Sequence, residues 1–505
     1  MVKELEEGYI ITYDIGTEGT KTTLVTTEGK TIISRYKSYG VNYTHPGWAE
    51  QNPDDWWRAI CKTTRNIVAE SKISPKSIIA ICASSQMLGV VPVDSNGKPT
   101  RPAIIWLDTR AGDDEIDEYL ERFDYDLVGL LNRGVIPPTC AKDPGAKIIW
   151  IKNHEPQVFE RSAKIVDVKD YILYRLTGEF YTDYSCASLT NMFNCKNRKW
   201  EEDAVKAVGL TVDNLSTPVE STKVIGNLRD DAAEELSLTT EVKVVCGCGD
   251  APAAGVGSGA VSTGKAHIYI GTSAWIGVHL EKLLFDTSGI GTICSADPNK
   301  YFLIGEMENA GGCLTWFKNN VAEEESYAEL DRIADKVSAG SEKLIFMPWL
   351  LGERAPIQDT SIRGGFVNLS RSHARGHMAR AILEGVAYHM RWIVDTIEEL
   401  GIHIDSLNAC GGGAKSDVWM QIFSDILNKP VRQVENPQEA GTVGVALIAS
   451  VGMGIFKSLD DAERHIKIRT VFEPNHDNVS IYNEMYDKFK RIYEKLSPIC
   501  KTLNR

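Results

Sequence analysis

The chain alternates short β-branched apolar runs with longer amphipathic stretches. The first 26 positions contain two β-rich runs joined by a Gly/Thr turn. This pattern predicts a β-hairpin whose tight loop holds Asp14, Gly16 and Thr17.

The same order of features returns in the second half of the chain. Ile270-Gly271-Thr272 stands where Ile15-Gly16-Thr17 stands in the first half, and the two glycines, Gly16 and Gly271, are 255 residues apart. Repetition at about half of a 505-residue chain predicts a duplicated domain.

Strands and helices are predicted in alternation between and after the hairpins, which indicates the α/β class. Periodicity predicts a long helix over 377–400 and a strand before Gly411-Gly412-Gly413, with a second helix after it. The Gly/Ser-rich segment 255–264 predicts a boundary between two domains, 8–258 and 259–505. Further strands are predicted over 77–84, 89–93, 164–168, 241–246 and 406–409, and a helix over 169–176.

Composition and charge exclude several classes of protein. A net charge of −14 argues against a nucleic-acid-binding protein. The uncharged run 440–456 is shorter than a membrane span and predicts a buried helix followed by a turn. Residues 1–7 are too charged for a secretory signal.

An odd number of scattered cysteines, eleven, indicates reduced thiols and a cytoplasmic protein. Cys246 and Cys248 lack a second Cys/His pair, so CGC predicts a tight turn rather than a metal site.

Three glycine-rich turns suggest phosphate binding. Glycine lets backbone N–H groups approach phosphate oxygens, and the Gly411–Gly413 turn precedes a helix N-terminus, which favours anions. Neither a P-loop nor a dinucleotide GxGxxG motif is present. A single turn of this kind is common and does not indicate a binding site. Two Gly-Thr turns at corresponding places in the two halves, together with a strand–GGG–helix unit, favour a nucleotide that is held between two lobes.

Two carboxylates stand beside these turns. Asp14 ends the first strand, where it fits either a Mg²⁺ site or a hydrogen bond to its own loop. Asp250 follows a strand and precedes Ala251-Pro252, so it fits either a helix cap or a general base that accepts a hydroxyl proton. The local sequence leaves both alternatives open.

Polar residues at other strand ends fit contacts to a polyol. Gln86 and Met87 follow one predicted strand, and Asp108 and Arg110 follow Ala103-Ile104-Ile105-Trp106. The alternative is that they are surface turn residues. For the tryptophans at 48, 56 and 57, core packing is favoured over a sugar-stacking patch.

Together these segments resemble the FGGY carbohydrate kinase family over nearly the whole chain. Segment 14–21 resembles its first phosphate hairpin, 84–89 its substrate loop and 270–273 its second phosphate hairpin. Asp250 occupies the position of the family's catalytic base. Other similar segments are 47–56, 106–110, 352–356, 363–366, 411–416 and 439–444.

The resemblance implies two actin-like, ribonuclease-H-like domains around a catalytic cleft, and transfer of the ATP γ-phosphate to a hydroxyl of a sugar. It implies that Asp250 is the base and that Asp14 holds Mg²⁺. It also implies a homodimer. The residues implied to contact ATP are Asp14, Gly16, Thr17, Lys21, Gly271, Thr272, Gly311, Gly412, Gly413 and Asp417, and those implied to face the sugar are Gln86, Met87, Asp108 and Asp250.

The departures from the family pattern fall on the sugar side. Leu88 replaces a histidine of the substrate loop, Leu107 replaces an asparagine, and Ser85 replaces a glycine. Loss of a polar partner changes substrate preference by about 1–3 kcal/mol. Xylulose is the expected acceptor, and ribulose, glycerol, erythritol and gluconate remain alternatives. A chain with the same two-lobed fold could instead be an actin- or Hsp70-like ATPase.

Overall fold

The computed structural model describes residues 8–286, 288–322 and 326–504. The prediction that no secretory signal is present falls on residues 1–7, which lie outside the described residues. Two sheets, one in each half of the chain, carry the fold. Among the described residues, no helix is both long and apolar enough to cross a membrane.

The first sheet has six strands, and its centre is a run of parallel pairs. Tyr9–Ile15 and Gly19–Thr26 form the predicted hairpin, and Ile78–Ser85 pairs in parallel with Tyr9–Ile15 and with Lys243–Gly249. Ile78–Ser85 is buried along nearly its whole length, as expected for a strand covered on both faces. The order across this sheet is Val224–Asn227, Lys243–Gly249, Ile78–Ser85, Tyr9–Ile15, Gly19–Thr26 and Thr31–Ser38.

The second sheet repeats this plan with seven strands. Ala266–Ile270 and Ala274–Leu280 form the second predicted hairpin, and Leu407–Cys410 pairs in parallel with Ala266–Ile270. Both sheets therefore contain an antiparallel hairpin whose first strand is followed across the sheet by two further parallel strands. This common arrangement is expected of a duplicated domain. The order across this sheet is Gly291–Cys294, Tyr301–Met307, Ala274–Leu280, Ala266–Ile270, Leu407–Cys410, Val431–Val434 and Ile468–Phe472.

Helices cover these sheets, and the helices that the sequence predicts are among them. The longest predicted helix runs from Arg375 to Glu399, and the uncharged run forms Ala440–Gly452 before a turn. The other α-helices are Pro53–Ser71, Asp113–Glu121, Leu127–Arg133, Pro144–His154, Pro156–Arg161, Val168–Thr177, Tyr184–Ser188, Glu202–Ala207, Asp230–Leu236, Asp250–Gly257, Gly311–Phe317, Tyr327–Asp335, Asp417–Leu427, Leu459–Ala462 and His476–Leu503.

Short two-stranded pairs complete the structure. The predicted strands over 89–93 and 164–168 form one such pair, with bounds Val91–Val93 and Lys164–Val166. The remaining pairs are Glu50–Gln51 with Ala103–Ile104, Tyr181–Asp183 with Thr217–Val219, Phe193–Asn194 with Lys199–Trp200, and Ile345–Met347 with Gly365–Val367.

The two halves meet along a pair of helices. Ala440–Gly452 packs on the first sheet, although it comes late in the chain, and it crosses Asp250–Gly257. The helices approach closely at two glycines, since a Cβ on Gly257 would lie 1.7 Å from the Ala440 carbonyl oxygen and one on Gly444 would lie 2.0 Å from that of Ala253. The division into domains 8–258 and 259–505 stays a prediction.

Two predictions about cysteine and tryptophan have clear outcomes. All eleven cysteines are free, in keeping with the reduced thiols expected. Trp56 and Trp57 are buried core residues, which confirms core packing. The tight turn expected at CGC is wrong: both cysteines lie inside the strand Lys243–Gly249, where the register shifts in a β-bulge and Gly247 has a φ of +73°.

Candidate active site

Asp14 and Asp250 lie in one crevice at the edge of the first sheet. Their strands both run parallel to Ile78–Ser85, so their carboxyl ends meet, with Asp14 opposite Ser84 and Gly249 opposite Ser85. Burial, and then the negative charges of Asp14 and Glu306, raise the pKa of Asp250 to about 7. Such a carboxyl group can take up or release a proton near neutral pH.

Hydrogen bonds within the loop of the first hairpin and from two neighbouring side chains fix its conformation. Gly16 N–H donates to Gly19 O at 3.0 Å, which closes the turn. Trp106 Nε1 donates to Thr17 Oγ1 at 2.8 Å, and Gln51 Nε2 donates to Thr17 O at 2.7 Å. Because the indole donates to its oxygen, the Thr17 hydroxyl keeps its own proton to donate to a ligand.

Lys21 connects this hairpin to the helix from the other half of the chain. Its Nζ donates to Gln438 O at 2.9 Å and lies 3.9 Å from Asp14 Oδ2 and 3.8 Å from Glu439 Oε2. A Cβ on Gly441 would lie 3.8 Å from Asp14 Oδ2, so the carboxylate faces the start of Ala440–Gly452. Burial raises the pKa of Asp14, and Lys21 acts against that shift.

The donor set fits a Mg²⁺ ion that is bound mainly by phosphate and water. Asp14 offers a half-buried carboxylate in the crevice, with Asp250 nearby. Among the described residues, no group of three or more acidic, histidine or cysteine side chains could enclose a metal by itself. Mg²⁺ commonly uses one or two carboxylates together with substrate phosphates, so these residues suit it.

The second hairpin is braced by the helix Gly311–Phe317. Gly271 and Thr272 lie in its loop, and Thr272 is exposed. Their carbonyl oxygens accept from Gly311 N at 3.0 Å and Gly312 N at 3.0 Å. A Cβ on Gly311 would lie 2.4 Å from Gly271 O, so a larger residue there would push the hairpin away.

The Gly411–Gly413 turn combines a closed side with an open one. Gly411 has a φ of +89°, and a Cβ on Gly413 would lie 2.4 Å from Ile270 Cγ2, whereas one on Gly412 would meet nothing within 4 Å. Asp417 begins the helix that follows, but its carboxylate is bound to Arg469 at 3.0 Å and to Gln433 Nε2 at 3.1 Å. Asp417 therefore ties this helix to two strands of the second sheet.

Gln86 and Met87 directly follow the strand Ile78–Ser85, which lies between the strand of Asp14 and the strand that leads to Asp250. Gln86 Nε2 donates to Gln51 Oε1 at 2.9 Å, while Gln86 Oε1 is buried and has no hydrogen-bond partner among the described residues. A Cβ on Gly249 would lie 2.3 Å from Met87 Sδ, so Met87 packs directly against the residue that precedes Asp250. The unpaired amide oxygen is an acceptor that a sugar hydroxyl could satisfy.

Asp108 is placed differently from the expectation that it faces the sugar. It is fully buried, and its carboxylate accepts from Ala49 N at 2.5 Å and from Arg110 Nε and Nη2. Arg110 also pairs with Glu50 at 2.7 Å and lies 3.9 Å over the ring of Trp48. Both oxygens of Asp108 are therefore occupied within the protein, and a contact between Asp108 and a sugar stays a prediction.

A charged group that crosses the crevice was missed by the sequence reasoning. Lys142 from the first half lies 3.1 Å from Glu308 Oε1 of the second half. Arg354 pairs with Glu308 at 2.9 Å and with Glu306. The available signal was the end of the apolar strand Tyr301–Met307, where glutamates appear at a strand terminus beside the second hairpin.

Comparison with known protein families matches both halves of the chain. The family described as "FGGY family of carbohydrate kinases, N-terminal domain" matches residues 9–257. The description "FGGY family of carbohydrate kinases, C-terminal domain" matches residues 266–453.

Individual relatives match over almost their full length. The chain is 33% identical to the xylulose kinase of Bacillus subtilis (strain 168) over 487 residues, 96% of each chain. It is 31% identical to the gluconokinase of the same strain, over 95% of this chain and 94% of that one. The solved structure of a ligand-bound xylulose kinase from Lactobacillus acidophilus superposes with a TM-score of 0.88 at 28% identity, over 97% of this chain and 98% of that one.

Proposed function

Because the chain belongs to the FGGY family of carbohydrate kinases and has its actin-like ATPase fold, we propose that it phosphorylates xylulose, giving xylulose 5-phosphate from MgATP. As a sugar kinase of this family it is an ATP-using phosphotransferase. The observation that carries the proposal is the shared crevice, in which Asp250, with its raised pKa, lies beside Asp14 and Met87.

In this proposal Asp250 accepts the proton of the acceptor hydroxyl. Its position at the start of Asp250–Gly257 presents the carboxylate at the sheet edge, and Ala251 N donates to its Oδ1 at 2.9 Å. The other oxygen is left to receive the hydroxyl proton. A pKa near 7 suits a base that must be ionised before transfer and protonated after it.

The two hairpins hold the phosphates in this proposal. Thr17 and Thr272 supply hydroxyl donors, Lys21 supplies a cation, and Gly412 leaves open space for the nucleotide. Asp14 would hold Mg²⁺, which neutralises charge on the transferring phosphoryl group when it is bound. Closing the crevice would exclude water, which otherwise competes with the sugar as acceptor.

The charges around the crevice support a neutral acceptor over a sugar acid. A carboxylate such as that of gluconate needs a cation whose charge is not already balanced by a carboxylate of the protein. Lys142 and Arg354 are paired with glutamates, and Arg110 is paired with Asp108. Lys147 is fully buried against the carbonyl oxygens of Leu88 and Ile105. The printed names of the relatives, mostly xylulose kinases, point in the same direction.

A panel of acceptors tests this choice. Purified protein with MgATP is offered xylulose, ribulose, glycerol, erythritol and gluconate in a coupled ADP-release assay. The proposal expects the highest kcat/KM for xylulose, by about tenfold or more, which is the usual size of a one-partner preference. A higher kcat/KM for gluconate would contradict it, and ADP release that no sugar stimulates would favour an actin- or Hsp70-like ATPase.

A further inference from the structure

A buried carboxylate holds the β-bulge that immediately precedes Asp250. Asp183 is fully buried and ends the short strand Tyr181–Asp183. Its Oδ2 accepts from Ser185 N at 2.8 Å, from Ser185 Oγ at 2.5 Å and from Ser221 Oγ at 3.1 Å. Its Oδ1 forms an ion pair with Lys169 Nζ at 3.1 Å, and Lys169 is also fully buried.

Both of the serines that donate to Asp183 also accept hydrogen bonds from the bulged strand. Gly249 N donates to Ser185 Oγ at 3.1 Å, and Gly247 N donates to Ser221 O at 2.9 Å. The backbone is therefore anchored on each side of Cys248 by side chains and carbonyls that Asp183 orients. A Cβ on Gly247 would lie 1.9 Å from Ala83 O, so the bulge is pressed against the neighbouring strand.

The bulge decides where Asp250 points. A regular strand would give its N–H groups to the neighbouring ladder, but here the register shifts between Val245 and Cys248 and the Gly249 N–H turns to Ser185 instead. Bulges of this kind re-aim the side chains that follow them. The helix carrying Asp250 begins one residue after Gly249, so a change at Gly249 is transmitted directly to the carboxylate.

We infer that Asp183 and Ser185 are positioning residues, which hold the bulge so that Asp250 is fixed at its place in the crevice. The inference rests on the proposed role of Asp250 as the base. Lys169 neutralises the buried Asp183, which keeps that carboxylate ionised and accepting from both serines. Removing the Ser185 hydroxyl leaves the ion pair intact but takes away the acceptor of the Gly249 N–H.

The test compares Ser185→Ala with a matched control, Ser258→Ala. Ser258 is also fully buried, and it donates to Gly255 O at the far end of the helix that Asp250 begins. We expect kcat of Ser185→Ala to fall about ten- to a hundredfold, the cost of a small misplacement, with KM for MgATP changed less than about twofold. Ser258→Ala should lose similar thermal stability and keep the wild-type kcat.

Hydrogen exchange measured by mass spectrometry separates this inference from the proposed function. Peptides that cover 245–252 should exchange faster in Ser185→Ala than in wild type, whether or not a sugar substrate has been found. Wild-type exchange there, or faster exchange with unchanged kcat, would overturn the inference. Absence of sugar-stimulated turnover in the wild type would instead refute the proposed function. If Ser185→Ala does not fold, Ser185→Cys keeps a weak acceptor and should show a smaller loss of kcat in the same direction.

Discussion

Replacing Asp250 with asparagine should make the protein more stable at neutral and alkaline pH while it removes activity. Burial and the charges of Asp14 and Glu306 raise the pKa of Asp250 from 3.8 to about 7, so its ionised form is costly in the folded state. A shift of that size corresponds to about 4 kcal/mol. The crevice is partly open to solvent and the asparagine amide must also be accommodated, so we expect a gain of about 1–2 kcal/mol.

The pH dependence of this gain follows from the direction of the shift. Below pH 3.8 the group is protonated in both the folded and unfolded chains, and no cost exists. Between 3.8 and about 7 the folded protein binds the extra proton, so wild-type stability falls as pH rises. Above about 7 the full cost is present, and the advantage of asparagine is greatest there.

Differential scanning calorimetry at pH 5 and pH 8 measures this effect. For a chain of this length, the expected gain is about 1–2 °C in Tm at pH 8 and less than half of that at pH 5. Asp230→Asn is the matched control, because Asp230 also begins a helix but is exposed. A gain in Tm that is equal at both pH values, or no gain at pH 8, would show that ionised Asp250 does not destabilise the folded protein.

Three further predictions concern the same crevice. Gly412→Ala should fold normally, because its Cβ would meet no protein atom, but it should raise KM for MgATP because the Cβ enters the space proposed for the nucleotide. Gly413→Ala should instead lower Tm, because its Cβ collides with Ile270. Calorimetry and ATP kinetics on both variants test this difference. Lys142→Ala should raise the KM for sugar a few-fold, because it removes the ion pair with Glu308 that joins the two sides of the crevice. An unchanged KM at low salt would contradict this. The kcat/KM for sugar should rise with pH through an ionisation near 7, and an acid limb near 4 would show that Asp250 is not the group that titrates.

The parts of the fold that depend on local pattern could be predicted from the sequence. Two β-rich runs around a Gly/Thr turn strongly favour a hairpin. A sustained 3.6-residue period likewise predicts the helix Arg375–Glu399. The helix start at Asp250 could be predicted for a similar reason, because a strand, an acidic residue and a proline in the first helical turn occur in immediate succession. The role of Asp250 as a base comes from the family resemblance alone and stays a proposal.

The parts that depend on distant packing could not. The CGC segment has the composition of a turn, but it lies in a bulged strand whose Gly247 and Gly249 N–H groups donate to Ser221 O and Ser185 Oγ. Asp108 stands at a strand end like a ligand-binding residue, but Arg110 and Ala49 N occupy its oxygens. The sequence contains no signal for such partners, which lie up to 64 residues apart along the chain in these cases.

The proposed function requires that the Asp250 carboxylate deprotonates a sugar hydroxyl while the two hairpins hold ATP independently of it. Single-turnover phosphorylation by Asp250→Ala, with the MgATP Kd measured by calorimetry on the same sample, tests it most directly. We expect the transfer rate to fall about a thousandfold and the Kd to stay within about twofold of the wild-type value. A transfer rate close to that of the wild type would contradict it.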